Sequence, residues 1–412
     1  MSFTAIVKKY GRDIFPKIDF HSKNILLKIE KCRTPELGGH IFICEDCKTI
    51  LSLNNSCSNR NCPVCQGNKR KRWIEKQCES LIKVPYFHVV FTVPDVLNRL
   101  FRENQKECYN LLFATAWETL KTFFENDKSL VGKGGMLCIL HTWGQTLSFH
   151  PHLHCLVPAA GLNQAGEFKL LRGKNKFLFN VKSLGEVFRA KFAAGLTALH
   201  KKNVLILPDL TRKLMFKKNW IVYSQRPFST PENVVRYIGM YSHRVALSEN
   251  RIIEEKDGNV SFFYKDYKDE GKKKIMTLTG EEFLRRFSMH ILPYKLMKIR
   301  YFGQLNNRHK KHFIKVAEKA VGLYCSKSDF PENRIDENQL DFDLDDEPIS
   351  KKNSVCCPNC KSFNFRKLAS FAMLKNFKEL VLIDIEKSQI YYNTRDGPQK
   401  SSSFILIPEK SL

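Results

Sequence analysis

The sequence predicts an α+β protein: a small cysteine-held N-terminal module followed by a larger domain of antiparallel strands and helices. Three observations predict it. Seven of the fourteen cysteines fall between Cys32 and Cys78, where residues 32–65 are too rich in Cys, Gly and Asn to bury a core unaided. Two β-rich apolar runs, MLCILHTW (136–143) and HLHCLVP (152–158), flank a short polar stretch, the pattern of neighbouring antiparallel strands. Residues 99–127 place Leu111, Leu112, Trp117, Leu120 and Phe124 at helical core spacing.

In chain order, residues 1–31 read as a helical lead-in, with Ile25, Leu26, Leu27 and Ile29 beside a Lys-rich face. The cysteine stretch follows, then the basic segment NKRKRWIEK (68–76), which reads as the start of a helix. VPYFHVVFTVP (84–94), an apolar run between prolines, reads as a buried strand. Mixed helical and strand signals run on to Tyr324. Residues 329–348 hold nine acids and one base, with Pro331 and Pro348, and read as a linker. The expected organisation is a zinc- and DNA-binding module over 1–83, a main domain over 84–325, an acidic linker over 326–354 and a small C-terminal segment over 355–412 that opens with CCPNC.

The net charge is +26 at pH 7, with a sequence pI of about 9.5. Because one short segment concentrates nine of the acids, the rest of the chain is more basic still. Such an excess repels itself, so it points to an anionic partner, nucleic acid first and membrane surface second. No run approaches the ~18 continuous apolar residues of a membrane span. The N-terminus, MSFTAIVKKYGRDIF, lacks the apolar region of a secretory signal. Fourteen cysteines without an export signal argue for metal ligation in a reducing, cytoplasmic setting rather than for disulfides.

Three constellations carry chemistry. Cys44-x₂-Cys47 and Cys62-x₂-Cys65 can each form a tight turn aiming two thiolates at one ion, which predicts a four-cysteine zinc site. Cys32, His40 and Cys57 are candidates for part of a second zinc site, one ligand short of closure. Lys69, Arg70, Lys71 and Arg72 follow directly and predict a phosphate-contacting face. In FHPHLHCLVP (149–158), strand alternation points His152 and His154 to one side and Leu153, Cys155 and Val157 to the other. Two imidazoles about 7 Å apart along a strand can grip one divalent ion, Mg²⁺ or Mn²⁺. The third ligand is expected from Gln145, with His141 as the alternative and His150 after it. In STPENVVRYIGMYSHRVALSENRI (229–252), Thr230, Pro231 and Glu232 make a helix start. Tyr237 and Tyr241 then share one face, and Arg236 and Arg244 are placed to meet phosphate.

Zinc module, paired histidines on a strand and paired tyrosines on a helix, in that order, resemble the rolling-circle insertion-sequence transposases, the two-tyrosine HUH class named for insertion sequence ninety-one. The matching stretches include CRTPELGGH (32–40), CEDC…SCSNRNCPVCQ (44–66), LHTWGQTLSFHPHLHCLVPAAGL (140–162), YIGMYSHRVALSENRI (237–252) and KKIMTLTGEEFLRRFSMHILP (273–293). The resemblance covers residues 20–310 and implies an HUH-endonuclease domain, with His152 and His154 as its metal pair and Tyr237 and Tyr241 as nucleophiles. It implies nicking and rejoining of single-stranded or hairpin DNA ends through a 5′-phosphotyrosine, near the nucleoid of a bacterial-type cell. Asn61 stands where the family often has His, and Met240 where a basic residue is usual. Two other readings compete. One is a zinc-dependent DNA-binding protein without chemistry, although His152, His154, Tyr237 and Tyr241 are all present. The other is a histidine-triad nucleotide hydrolase, which the His150–Leu156 pattern fits but which leaves the cysteines, the tyrosines and the charge unexplained.

The basic cluster yields a first prediction. Replacing Lys69, Arg70, Lys71 and Arg72 together should weaken binding to all DNA sequences and flatten the slope of log affinity against log salt, as fewer counterions are released. A titration between low and moderate salt checks it; an unchanged slope would mark the cluster as a solvated surface.

Overall fold

The computed structural model describes residues 2–65, 67–171, 178–225, 239, 245–322, 356–373, 380–384, 389–392 and 405–406. Its elements begin with α1 (Phe3–Ile14), α2 (Phe20–Glu30), β1 (Gly39–Cys44), β2 (Ile50–Asn54), α3 (Gly67–Cys78) and β3 (Tyr86–Thr92). There follow α4 (Asn98–Glu103), α5 (Gln105–Glu125), β4 (Gly132–Lys133), β5 (Gly135–Trp143), β6 (Phe149–Pro158), β7 (Ala160–Asn163) and β8 (Phe168–Leu170). Next come α6 (Val181–Lys201), α7 (Asp209–Lys217), β9 (Val222–Gln225), β10 (Ile252–Lys256), β11 (Asn259–Asp266), β12 (Lys272–Thr279) and α8 (Gly280–Ser288). The last are β13 (Ile299–Gly303), α9 (Lys310–Val321), β14 (Phe365–Met373), β15 (Leu380–Asp384), β16 (Gln389–Tyr392) and β17 (Ile405–Leu406). The α+β expectation is borne out, and the strands read from sequence at 84–94, 136–143 and 152–158 are β3, β5 and β6.

These three strands form the middle of an antiparallel sheet in the order β13-β5-β6-β3-β9. Alternation sorts its side chains. Phe87, Val89 and Phe91 of β3, Cys138 and Leu140 of β5, and Leu153, Cys155 and Val157 of β6 enter one apolar cluster. There they meet α4, α5 and α6, through Phe101, Leu112, Phe113, Leu120, Phe188 and Phe192. Leu112, Leu120 and Phe124 of α5 are fully buried, as the helical spacing requires. Leu137, Ile139 and Leu156 face the other way, against Ile74 and Cys78 of α3 and Phe313 and Ala317 of α9. Pro151 has no N–H to give to a ladder. The register therefore slips: Trp143 pairs with Phe149 and His141 with His152, so His150 and Pro151 of β6 oppose Thr142 alone. That bulge turns His150 out to solvent and lets alternation resume at His152.

The helical lead-in packs against the far half of the sequence. Ser2 caps α1, its Oγ accepting from Ala5 N at 3.3 Å, and Asp19 caps α2, accepting from Ser22 N at 3.0 Å. Phe3, Ile6, Val7, Leu26 and Ile29 are buried with Val260, Phe262, Phe283 and Phe287, and Phe3 stacks obliquely on Phe287 with ring centroids 4.5 Å apart. The C-terminal part also returns to the N-terminus. In a second antiparallel sheet, ordered β17-β16-β15-β14-β1-β2, β14 pairs with β1 from Gly39↔Phe371 to Cys44↔Phe365. Gly39 is required there: an added Cβ would strike the Phe371 ring and lie 2.5 Å from Leu53 O.

The β5–β6 turn is tied down by His290, which is 5% exposed. Its Nε2 lies 3.2 Å from Leu147 O, which only accepts, so Nε2 carries the proton and Nδ1 accepts from the Thr142 hydroxyl at 3.2 Å. Burial pushes the His290 imidazole down to about 4 from its ordinary 6.5. Between those values the unfolded chain binds a proton that the folded one refuses, so stability present above pH 6.5 is lost as pH falls toward 4, by an amount on the order of 3 kcal/mol. His290→Asn should lower stability at neutral pH and flatten that acid slope in denaturant titrations at stepped pH. An unchanged slope would remove His290 as its source.

Candidate metal centres

The first centre lies at the base of a hairpin. β1 and β2 pair from Gly39↔Asn54 to Ile43↔Ile50. Below the ladder, Arg33 N donates to Asn55 O at 3.1 Å and Asn55 N to Gly38 O at 2.9 Å. These bonds bring Cys32, at the end of α2, against the loop that carries Cys57, Cys62 and Cys65. The ligand atoms of the four cysteines lie within 4.8 Å of one another, with Cys32 and Cys62 sulfurs 3.6 Å apart and Cys57 and Cys65 sulfurs 3.8 Å apart. Four thiolates on one zinc at ~2.3 Å are spaced by ~3.8 Å, and disulfide sulfurs by only ~2.05 Å, so the geometry is that of a Cys₄ set. Cys32 is drawn down to about 7, chiefly by the Cys57 and Cys62 thiols that donate to it.

This corrects the grouping expected from the sequence. Cys62 and Cys65 join Cys32 and Cys57, not Cys44 and Cys47. The reason is distance: Cys44 and Cys47 sit at the hairpin tip, and a strand of this length holds tip and base ~17–20 Å apart. At the tip they meet Cys357 and Cys360 instead, all four ligand atoms again within 4.8 Å. His40 belongs to neither set; its Nδ1 is 2.9 Å from Ser370 Oγ. Asn61 bonds to Asn59 Oδ1 at 3.2 Å, and the first cluster has four thiols without it.

The third centre is the histidine face of the central sheet. His152 and His154 point to the side opposite Leu153 and Cys155, and the register sets His141 of β5 directly across from His152. The nitrogens of His141, His152 and His154 lie within 4.8 Å of one another. His152 and His154 each have their second nitrogen engaged: His152 Nδ1 donates to His150 O at 2.7 Å, and His154 Nδ1 meets His88 Nε2 at 2.8 Å. The two Nε2 atoms then face each other at 3.0 Å. Burial, and then His150, pushes His152 down to about 3, and burial with the His141, His152 and His88 rings and the Lys298 ammonium holds His154 well below 6.5. Neutral imidazoles whose Nε2 atoms converge on one side fit a divalent cation, with coordination positions left open.

The first choice of third ligand, Gln145, is not brought there. It sits in the β5–β6 turn beyond the Trp143↔Phe149 pair, about 10 Å along β6 from His152 at ~3.3 Å per residue. Its side-chain amide Nε2 donates to Tyr267 Oη at 3.3 Å, and its backbone carbonyl accepts from Arg251 Nη2 at 2.6 Å. His141, the alternative, takes the place. His150 is exposed and contributes its carbonyl. Sequence reasoning passed over His88; a histidine inside the apolar run FHVVF was the available signal. Of the DNA-facing candidates, Arg72 is exposed on α3, while the side chains of Lys69, Arg70 and Lys71 lie outside the description. Tyr237, Tyr241, Arg236 and Arg244 lie outside the described residues. Gly239 is described: it is helical and buried, and an added Cβ would collide with Ile74 of α3.

A thiol-rich N-terminal part beside a sheet carrying a histidine cluster is the arrangement of a metal-binding protein, and the comparisons place it among transposases. Residues 3–93 match the family described as "Transposase zinc-binding domain", and residues 135–312 the one described as "Putative transposase". The chain is 36% identical over 338 residues to a "Putative transposase y4qJ" of Sinorhizobium fredii, covering 77% of this chain and 83% of that one. It is 29% identical over 293 residues to the "Transposase for insertion sequence element IS801" of Pseudomonas savastanoi pv. phaseolicola, covering 68% and 69%. The chain belongs to the transposase family of insertion sequence ninety-one, and as such it acts on DNA. No solved structure matches. Among the described residues no helix is long and apolar enough to cross a membrane.

The histidine geometry predicts a ranking. Mn²⁺ affinity measured by calorimetry should fall most in His141→Ala, since it removes a ligand. His88→Ala, which removes only the partner of His154 Nδ1, should cost roughly 10–100-fold. Gln145→Ala should leave affinity near wild type; a loss there as large as at His141 would restore Gln145 as the ligand.

Proposed function

We propose that this transposase nicks and rejoins single-stranded DNA through a 5′-phosphotyrosine intermediate, in rolling-circle-type transposition. The observation that carries the reading is the cluster of His141, His152 and His154, held on the sheet face opposite the main core. Gly239 supports it from a second direction. It contacts Ile74, which belongs to the apolar cluster of Leu137, Ile139 and Leu156 on that same face. Tyr237 and Tyr241 flank Gly239 in the sequence, two residues to either side.

The residues divide the work. His141, His152 and His154 would hold a divalent cation, and an all-imidazole set favours a first-row transition ion such as Mn²⁺ over Mg²⁺. Such an ion, when bound, withdraws charge from the scissile phosphate. His88 and the His150 carbonyl orient the two β6 rings so that their Nε2 atoms converge. One tyrosine gives up its phenolic proton and its oxygen forms a bond to phosphorus; the P–O3′ bond breaks, and the departing 3′ oxygen takes a proton. The downstream strand is left on the protein through its new 5′ phosphate, the upstream strand keeps a free 3′-OH, and a second tyrosine lets one site handle two strands in sequence. Arg236, Arg244 and the basic run 69–72 supply phosphate contacts. A scissile phosphate that must reach these histidines is presented by a single or locally melted strand more readily than by a duplex.

The test is a 5′- or 3′-labelled oligonucleotide incubated with Mn²⁺ or Mg²⁺ and run under denaturing conditions. Wild type should give a covalent adduct at the new 5′ end, so that the 3′ label stays with the protein and the 5′ label leaves on a strand ending in 3′-OH. Tyr237→Phe or Tyr241→Phe should lose it, and the double variant must. His152→Ala and His154→Ala should lower cleavage at least 10²-fold with binding nearly intact, since they act on the transition state. An adduct that persists in the double Phe variant would defeat the mechanism.

A further inference from the structure

The cluster at the tip of the β1–β2 hairpin draws its sulfurs from the two ends of the chain. Cys44 and Cys360 sulfurs are 3.5 Å apart, and Cys47 and Cys357 sulfurs 3.4 Å apart, across 316 and 310 residues of sequence. The two halves are built alike. CEDCKT (44–49) and CPNCKS (357–362) share the pattern C-x-x-C-K followed by a hydroxyl residue. In the first, Cys44 N donates to Thr49 O at 2.9 Å and Lys48 N to Cys44 O at 2.8 Å. In the second, Cys357 N donates to Ser362 O at 2.8 Å and Lys361 N to Cys357 O at 2.9 Å. Lys48 and Lys361, at corresponding positions, both adopt left-handed backbone, with φ of 60° and 61°. Each turn therefore bends back on itself and aims its two thiols the same way, and strand pairing brings the two turns face to face.

Contacts around the thiols join the same two turns. Glu45 N donates to Asn364 O at 3.0 Å, Asn364 Nδ2 to Asp46 Oδ1 at 3.1 Å, and Arg366 Nε to Glu45 Oε1 at 2.7 Å. From there β14 runs antiparallel along β1, and β15 pairs with β14. Two C-x-x-C turns over a small antiparallel sheet, with four thiols at tetrahedral spacing, form a zinc ribbon.

We propose that Cys44, Cys47, Cys357 and Cys360 bind a second structural zinc ion, so that the two ends of the chain complete one zinc ribbon and the metal clasps the C-terminal strands onto the N-terminal module. The site lies partly outside residues 3–93, the part matched as a zinc-binding domain. Zinc is the fitting ion because four thiolates exclude Mg²⁺ and Ca²⁺, and a closed Cys₄ set leaves no position for substrate. On binding, the four thiols become thiolates and their four protons pass to solvent. A metal clip that closes so long a loop removes more chain entropy than a local one. Losing it should free the C-terminal strands from β1 while Cys32, Cys57, Cys62 and Cys65 keep their own ion.

The experiment uses the full-length chain carrying His141→Ala, His152→Ala and His154→Ala, so that only thiol-bound metal is counted. Elemental analysis should read two zinc ions per chain, one in Cys357→Ser/Cys360→Ser and one in Cys44→Ser/Cys47→Ser, with Cys356→Ser unchanged at two. Proteolysis within the acidic stretch 329–348 should leave the C-terminal fragment bound to the rest in gel filtration, and the serine pairs should release it. Because a serine pair could act by unfolding the segment, Cys360→His provides an independent reading. Loaded with Co²⁺, it should retain two ions but lose part of the thiolate-to-cobalt absorption. Two zinc ions in the Cys357→Ser/Cys360→Ser variant, iron in place of zinc, or an unaltered Cys360→His spectrum would each overturn the proposal.

Discussion

The antiparallel register of β6 between β5 and β3 is the constraint on which the rest of the site depends. A strand flanked on both sides has its alternation locked, because a slip of one residue would drive His152 and His154 into the apolar layer and Leu153 and Cys155 out of it. The phenylalanine-rich layer of α4, α5 and α6 enforces this from one side, at a cost on the order of 3 kcal/mol for each large side chain lost. Pro151 would break such a ladder if it were regular, and the bulge opposite Thr142 absorbs it. The same bulge turns the His150 carbonyl toward His152, so an irregularity forced by one ring orients another.

The thiols obey a different constraint, the length of a hairpin. Cys32 and Cys57 flank the β1–β2 hairpin and meet at its base, whereas Cys44 and Cys47 lie at its tip. One ion cannot serve both ends. The base cluster is also part of a larger apolar core, since Cys32 and Cys62 pack in the cluster that holds Phe3, Phe262, Phe283 and Phe287. The zinc-binding part is thus packed on the later sequence through side chains of α1, α2 and α8, while the basic helix α3 packs on the histidine-bearing face of the sheet through Ile74 and Cys78.

Charge and neutrality divide between regions. The chain carries +26 overall, yet the histidine cluster is held neutral by burial and by its own members. Cationic imidazoles would attract phosphate but reject a divalent ion; neutral ones accept the ion and leave attraction of the DNA backbone to lysines and arginines elsewhere.

Much was legible in the sequence because it is written locally. Period-two alternation assigned His152 and His154 to one face and Leu153, Cys155 and Val157 to the other, and the β5–β6 hairpin followed from two apolar runs and a short connection. C-x-x-C spacing marked every thiol pair that the structure uses, except that Cys32 and Cys57 reach their partners singly. Which pair meets which was not legible, because that depends on how far a hairpin extends and where a strand more than 300 residues away returns to pair. The third histidine was ranked behind Gln145 for a similar reason: sequence separation favours the residue in the turn, while cross-strand register brings His141 to within 4.8 Å of its partners. His88 contributes through a second strand boundary that only the sheet order reveals. Residue type and local period therefore determined the chemistry each segment could offer, and the long-range strand pairing of the tertiary structure decided which offers were combined.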